Sequence, residues 1–198
     1  PETGEDYRSF DYYDYVIKQQ SPAPQLFLNA SASGSTDRVS YFFSLANLHQ
    51  DAVIESFYFK RTSVQANLEA KLAKGLKIGT QLSGRLEFRH QAGVPGVDDY
   101  PNIFSSLLRN WPTERPYAND NPLYVNNTHS ININPATYVE SFTGYTDDRT
   151  WVFRGNAYAE YDFDFGLKAR GTFAYGYRFN GLECFEYTYD VYTYNYID

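Results

Sequence analysis

The sequence predicts an all-β fold: antiparallel, up-and-down strands of a transmembrane β-barrel, forming part of a barrel larger than this chain. Three observations carry that expectation. Polarity alternates every second residue over long stretches, tight turns alternate with long loops, and the polar faces of the strands are too charged to pack as a core.

The first hairpin is expected at residues 25–33 and 38–47. Leu26, Leu28, Ala30 and Ala32 share one face, as do Val39, Tyr41, Phe43 and Leu45 after the turn Gly34-Ser35-Thr36-Asp37. The second occupies residues 59–72 and 76–89, where Thr62, Val64, Ala66, Leu68, Ala70 and Leu72 alternate with polar neighbours. Pairing Leu72 with Leu76 leaves Ala73-Lys74-Gly75 as a three-residue loop, with glycine at the position that needs a left-handed backbone. The same register sets Arg61 opposite Glu87, and Lys71 opposite Lys77 as its one misfit.

The third hairpin, residues 150–163 and 167–180, repeats the second: Glu-x-x-apolar-x-x-Gly-Leu-Lys occurs at 69–77 and again at 160–168. Pairing Phe163 with Leu167 makes Asp164-Phe165-Gly166 a turn, not a kinase-type metal-binding motif. It also pairs Asp162 with Lys168 and Glu160 with Arg170, opposite charges across the ladder. Gly155 falls opposite Tyr175, whose ring is expected to cover it.

Short and long connections alternate, with tight turns near 34–37, 73–75 and 164–166 and longer loops near 48–57, about 90–149 and from about 180 onward. All tight turns therefore lie at one rim and all long loops at the other. Tyr41, Phe88, Trp151, Tyr177 and Phe179 are expected nearer the long-loop end. A soluble sandwich would need a second sheet over the apolar face. Six or seven strands are too few to close a barrel, for which about eight is the practical minimum.

Composition narrows the function. The chain has 198 residues, no Met, a single Cys and an N-terminal Pro1, which is the expectation for a processed chain or a piece of a longer one. A net charge of −7 argues against nucleic acid as a partner. There is no apolar run long enough for a membrane helix, which leaves barrel strands open. His49, His90 and His129 are scattered without metal-ligand spacing and are expected as neutral surface histidines. Asp98-Asp99 is expected as solvated loop. Asn29-Ala30-Ser31 and Asn126-Asn127-Thr128 match a glycosylation pattern that is common by chance. Neither a catalytic constellation nor a cofactor motif is present, so no enzyme activity, cofactor or metal is expected.

The loop at 90–149 is too long to be filler in a compact domain. Its segment Pro101–Pro112 is a short helix candidate, as is the opening stretch Ser9–Gln20; the closing Tyr187–Ile197 reads as a further strand. Trp111, Tyr117, Tyr124 and Tyr138 either stack on sugar rings or peptide side chains, or pack the loop on itself. Substrate contacts are expected from Trp111 and Tyr124 by stacking, with Arg85 and Arg89 beneath them as polar groups at the lumen mouth.

Residues 29–85 resemble the early barrel region of SusC/RagA-type TonB-dependent outer-membrane transporters. The likeness rests on Ser33-Gly34-Ser35, Tyr41 to Leu45, Gln50-Asp51-Ala52, Phe59-Lys60-Arg61 and Lys74 to Lys77; Ala52 and Phe59 depart from the family's usual residues. Residues 153–163 and 166–180 look like later strands of the same barrel. The resemblance implies an internal barrel piece without plug or TonB box, in the outer membrane of a Gram-negative bacterium. It implies import of oligosaccharides or peptides, energised through the TonB complex and assisted by a SusD-like surface lipoprotein. Two other classes remain open from the residues: a soluble secreted β-sandwich that binds carbohydrate, and a passive porin-like barrel.

Overall fold

Alternation along the chain becomes one sheet. The structure, a computed structural model, describes residues 9–17, 22–93, 103–128 and 134–193. Six strands, β1 (Gln25–Ser35), β2 (Val39–Asp51), β3 (Tyr58–Ala73), β4 (Leu76–Ala92), β5 (Tyr145–Asp162) and β6 (Lys168–Phe185), pair in sequence order and all antiparallel. Every predicted hairpin forms. The strands run further toward the long-loop rim than alternation indicated, because ladder bonds persist through His90, Gln91, Thr146 and Asp147, whose polar side chains read as loop. The long loop is therefore 93–144.

The turns follow their glycines. Gly75 and Gly166 adopt φ of 79° and 91°, and the Gly166 amide donates to the Phe163 carbonyl at 3.0 Å. A bulge between Lys71 and Ala73 sets Ala73, and not the expected Leu72, opposite Leu76, so the turn is the two residues Lys74-Gly75 rather than a three-residue loop. The first turn instead uses Thr36, whose hydroxyl accepts from the Val39 amide at 3.1 Å.

Registers hold for Arg61 with Glu87, Asp162 with Lys168 and Glu160 with Arg170. Lys71 does lie opposite Lys77, yet Lys77 leans away to Glu160 at 3.5 Å and Glu69 at 3.7 Å, which offsets the repulsion. Two ring placements differ from expectation. Tyr175 lies opposite Gly155, but the atom nearest a Cβ there is Leu82 Cδ2 at 3.1 Å, since Leu82 leans in from the other side. Tyr41 sits at the tight-turn rim over Gly34, because β2 starts from that turn. With Tyr161 and Phe163 it gives that rim its own rings, so both ends of the apolar face carry aromatics, the pattern of a membrane barrel.

One face of the sheet is apolar and uncovered, with Leu82 41%, Leu28 58% and Phe173 71% exposed. A soluble sandwich would cover this face; among the described residues the six strands form a single sheet. Only Leu48 and Ala92 of the described buried apolar residues lie in strands.

The true core lies above the long-loop rim. Helix α1 (Tyr12–Ile17) contributes Val16, the β2–β3 loop Ile54, helix α2 (Ile103–Arg109) Ile103, and the long loop Tyr138. Burying each aliphatic side chain there contributes about 1.5–3 kcal/mol. Both helix candidates thus form as short helices whose apolar residues meet only in this cap. The loop re-enters the sheet through helix α3 (Glu140–Thr143) and Gly144, where φ is 76° and a Cβ would strike the Phe185 carbonyl. Residues 186–193 do not continue the sheet as a strand. They fold over the cap, joined by a single parallel bridge of Tyr192 to Asn126.

Candidate functional site

Opposite the apolar face, the register stacks polar side chains in rows. Gln65, Ser83 and Arg154 lie side by side, as do Asn67, Gln81 and Asn156, with the Asn156 amide donating to Gln81 Oε1 at 3.1 Å. Toward the tight turns the charges neutralise one another. Tyr158 Oη donates to Glu69 at 2.5 Å, and Arg170 and Lys77 reach Glu160 at 3.7 and 3.5 Å. Midway along the strands the wall opens into a recess of about 310 Å³ holding Asn29, Ser44, Gln65, Arg85 and Arg154. Such a surface suits polar solutes and has no counterpart in a packed core.

The cap closes over the rim by specific polar ties. Asn134 donates to the carbonyls of Pro116 at 2.6 Å and Asn126 at 3.1 Å, and its own Oδ1 caps Ala136. Tyr15 and Tyr117 share a hydroxyl hydrogen bond of 2.9 Å, and Tyr138 meets Ser106 at 3.1 Å. Burial pushes the ionisation of Tyr12, Tyr15, Tyr138 and Tyr189 above the ordinary tyrosine range. Tyr117 and Tyr138 therefore pack the loop on itself.

Trp111 and Tyr124 remain outward, 59% and 42% exposed, although the Tyr124 ring meets Tyr192 edge-on at 4.9 Å. Arg89 is exposed at the rim between Phe59 and Asp148 in the ladder, and Arg85 sits lower, its Nε 3.2 Å from Glu87. Among the described residues, no hydrogen bond, ion pair or ring contact joins the two rings to the two arginines. They occupy the same rim without forming one cluster.

His90 departs from the surface expectation, whereas His49 keeps to it with its side chain 37% exposed. His90 is only 12% exposed at its side chain, with Nδ1 2.6 Å from Asp147 and Nε2 3.6 Å from Glu140 of α3. Its ring stacks between Tyr58 at 4.9 Å and Tyr145 at 6.2 Å, and His49 pairs with Asp51 at 2.9 Å. The acidic partners of His90 lie 50 or more residues away, so spacing offered no signal for them. His129 and Asp98-Asp99 lie outside the described residues. Among the described residues there is no group of three metal-ligating side chains.

Comparison with known proteins follows the same line. No protein-family profile matches the chain. Two proteins of Formosa agariphila are similar to it. TonB-dependent receptor P3 is 26% identical over 149 residues, covering 72% of this chain and 14% of the receptor. TonB-dependent receptor P26 is 23% identical over 176 residues, covering 79% of this chain and 16% of the receptor. Among solved structures, the RagAB peptide importer in its open-open state matches 85% of this chain with a TM-score of 0.62 at 20% identity. The closed-closed state of the same importer matches 83% with a TM-score of 0.61 at 19% identity. This chain spans about one sixth of the length of these proteins. The resemblance to SusC/RagA-type TonB-dependent transporters is borne out, the fold is that of part of such a barrel, and these relatives are receptors and importers rather than enzymes.

Proposed function

We propose that this chain is a stretch of barrel wall and outer loops of a TonB-dependent importer in the outer membrane of a Gram-negative bacterium. The observation that carries this reading is the six-strand sheet with one face apolar and uncovered and the other polar, capped by folded loops at one rim. An uncovered apolar face of this extent suits lipid and is foreign to a water-soluble monomer. The plug and the TonB-contacting segment belong, on this reading, to the remainder of the polypeptide. The cargo is an oligosaccharide or a peptide, and a SusD-like surface lipoprotein sits over the loop rim, with Trp111 and Tyr124 as stacking surfaces and Arg85 and Arg89 as polar contacts below. The structural neighbour RagAB is a peptide importer, which supports peptides as the first cargo to try.

The test is uptake by cells that carry the full-length transporter. Labelled oligopeptides and oligosaccharides should enter in its presence and stop entering when TonB is removed, and a surface lipoprotein should co-purify with it. Uptake that persists without TonB would mean a passive pore.

A further inference from the structure

Three guanidinium groups share the polar face of adjacent strands, from the middle of the wall toward the long loops. Arg85 on β4 and Arg178 on β6 both lie opposite Val152 of β5, one on each side. That sets them two strand spacings apart, or about 10 Å. Arg154, two residues further along β5 and on the same face, is diagonal to both at about 7–8 Å. Its neighbour on β6 is Gly176, which carries no side chain to separate Arg154 from Arg178.

Counter-charge is scarce here. Arg85 Nε meets Glu87 at 3.2 Å, whereas among the described residues neither Arg154 nor Arg178 has an acidic partner. All three are exposed. The tight-turn half of the same face behaves oppositely, since Arg170, Lys77 and Lys168 each pair with a carboxylate. A chain with 24 acidic residues against 17 basic has supplied partners in one half and left the other half cationic.

We infer that Arg85, Arg154 and Arg178 form a binding site for carboxylate groups of an oligomeric solute moving along this wall. The inference rests on the importer reading and names its cargo class. Guanidinium is the side chain whose planar fork grips carboxylates in pairs of hydrogen bonds, and it cannot lose its charge. Three forks at 7–10 Å spacing suit successive carboxylates of an acidic oligomer rather than one isolated anion. The adjoining recess offers Asn29, Ser44 and Gln65 as neutral hydrogen-bonding groups for the backbone of such a chain. Against the chain's net charge of −7, the patch is a local reversal of sign, as a selective anion site requires.

The test is arginine modification of the purified full-length transporter by phenylglyoxal at low ionic strength, where electrostatic contacts are least screened, read residue by residue by mass spectrometry. The probes are tetraglutamate and tetragalacturonate, each beside its neutral counterpart, tetraglutamine and the carboxyl-reduced tetrasaccharide. At least one carboxylated probe should slow modification of all three arginines about fivefold or more, the size expected of charge-assisted hydrogen bonds. Its neutral counterpart should not, and Arg38 at the tight-turn rim should react alike throughout. Which probe protects identifies the source of the carboxylate. In the Arg154→Gln/Arg178→Gln variant, protection of Arg85 should disappear. Equal reactivity with charged and neutral probes would overturn the inference. So would unreactive Arg154 and Arg178 in the free transporter, since an acidic segment of the same polypeptide would then hold them. Uptake reports separately on import: a protein that imports nothing yet shows charge-selective protection keeps the site and loses the transport reading.

Discussion

The Tyr158 ring on β5 packs over Gly79, the residue directly opposite on β4, so closely that a Cβ at 79 would strike Tyr158 Cζ. From that position the hydroxyl reaches Glu69 on β3, and the Arg170 guanidinium of β6 lies 4.1 Å from the ring centroid. One ring over one glycine thus ties four strands together.

Gly79→Ala should displace this ring and cost about 1–3 kcal/mol, the usual penalty for overpacking. In a Tyr158→Ala background the same substitution should cost far less, because the clash is gone. The temperature at which the full-length barrel loses its detergent-resistant fold reads both; additive losses would show that the pair does not interact.

His90 joins three elements: its own strand, Asp147 on β5 and Glu140 on α3. His90→Leu leaves the largely buried Asp147 carboxylate short of a partner, at a cost of about 1–3 kcal/mol. Limited proteolysis should then cut faster within residues 93–144 while the strands stay resistant. An unchanged cleavage rate would mean that the histidine does not hold the loop.

Alkaline pH should open the cap before the barrel. The folded ionisation of Tyr12, Tyr15, Tyr138 and Tyr189 is raised above the unfolded value near 10, chiefly by burial. A folded value above the unfolded one means stability that is complete below about pH 10 and lost as pH climbs beyond it. Tyrosinate absorbance and protease sensitivity of the cap should therefore rise together above that pH. Ionisation of all tyrosines near pH 10 with the cap intact would contradict this.

Trp111→Ala should weaken cargo binding severalfold, since a stacked ring contributes about 1 kcal/mol beyond the area it buries, and barrel assembly should not change because the ring lies outside the sheet. Tyr124→Ala should do the same and also loosen the tail, which Tyr192 anchors against that ring. Equilibrium binding to the full-length transporter decides it; unchanged affinity in both variants would assign the rings to loop packing alone.

The hairpins were legible because alternation and turn glycines are local signals, and the charge pairs Glu160 with Arg170 and Asp162 with Lys168 follow from the register alone. The cap was not. Val16, Ile54, Ile103 and Tyr138 come from four separate segments, each too short to show a period, and only the fold assembles them. Tyr41 was misplaced because strand direction decides which rim a ring belongs to, and the strand lengths at the loop rim were hidden by polar residues. Of the candidate site residues, exposure on one rim was readable from position, whereas the Arg154 and Arg178 neighbours of Arg85 required the pairing of three strands.

The central claim is that the two faces of this sheet meet different media. Spin labels placed singly at Leu82, Ala157 and Phe173, and at Gln65, Gln81 and Arg154, in the full-length protein in membranes test it through relaxation by oxygen and by a water-soluble nickel chelate. Oxygen, which concentrates in lipid, should dominate at the first three positions, and the chelate should reach the second three more readily. Greater access of the chelate to Leu82, Ala157 and Phe173 than to Gln65, Gln81 and Arg154 would contradict the account.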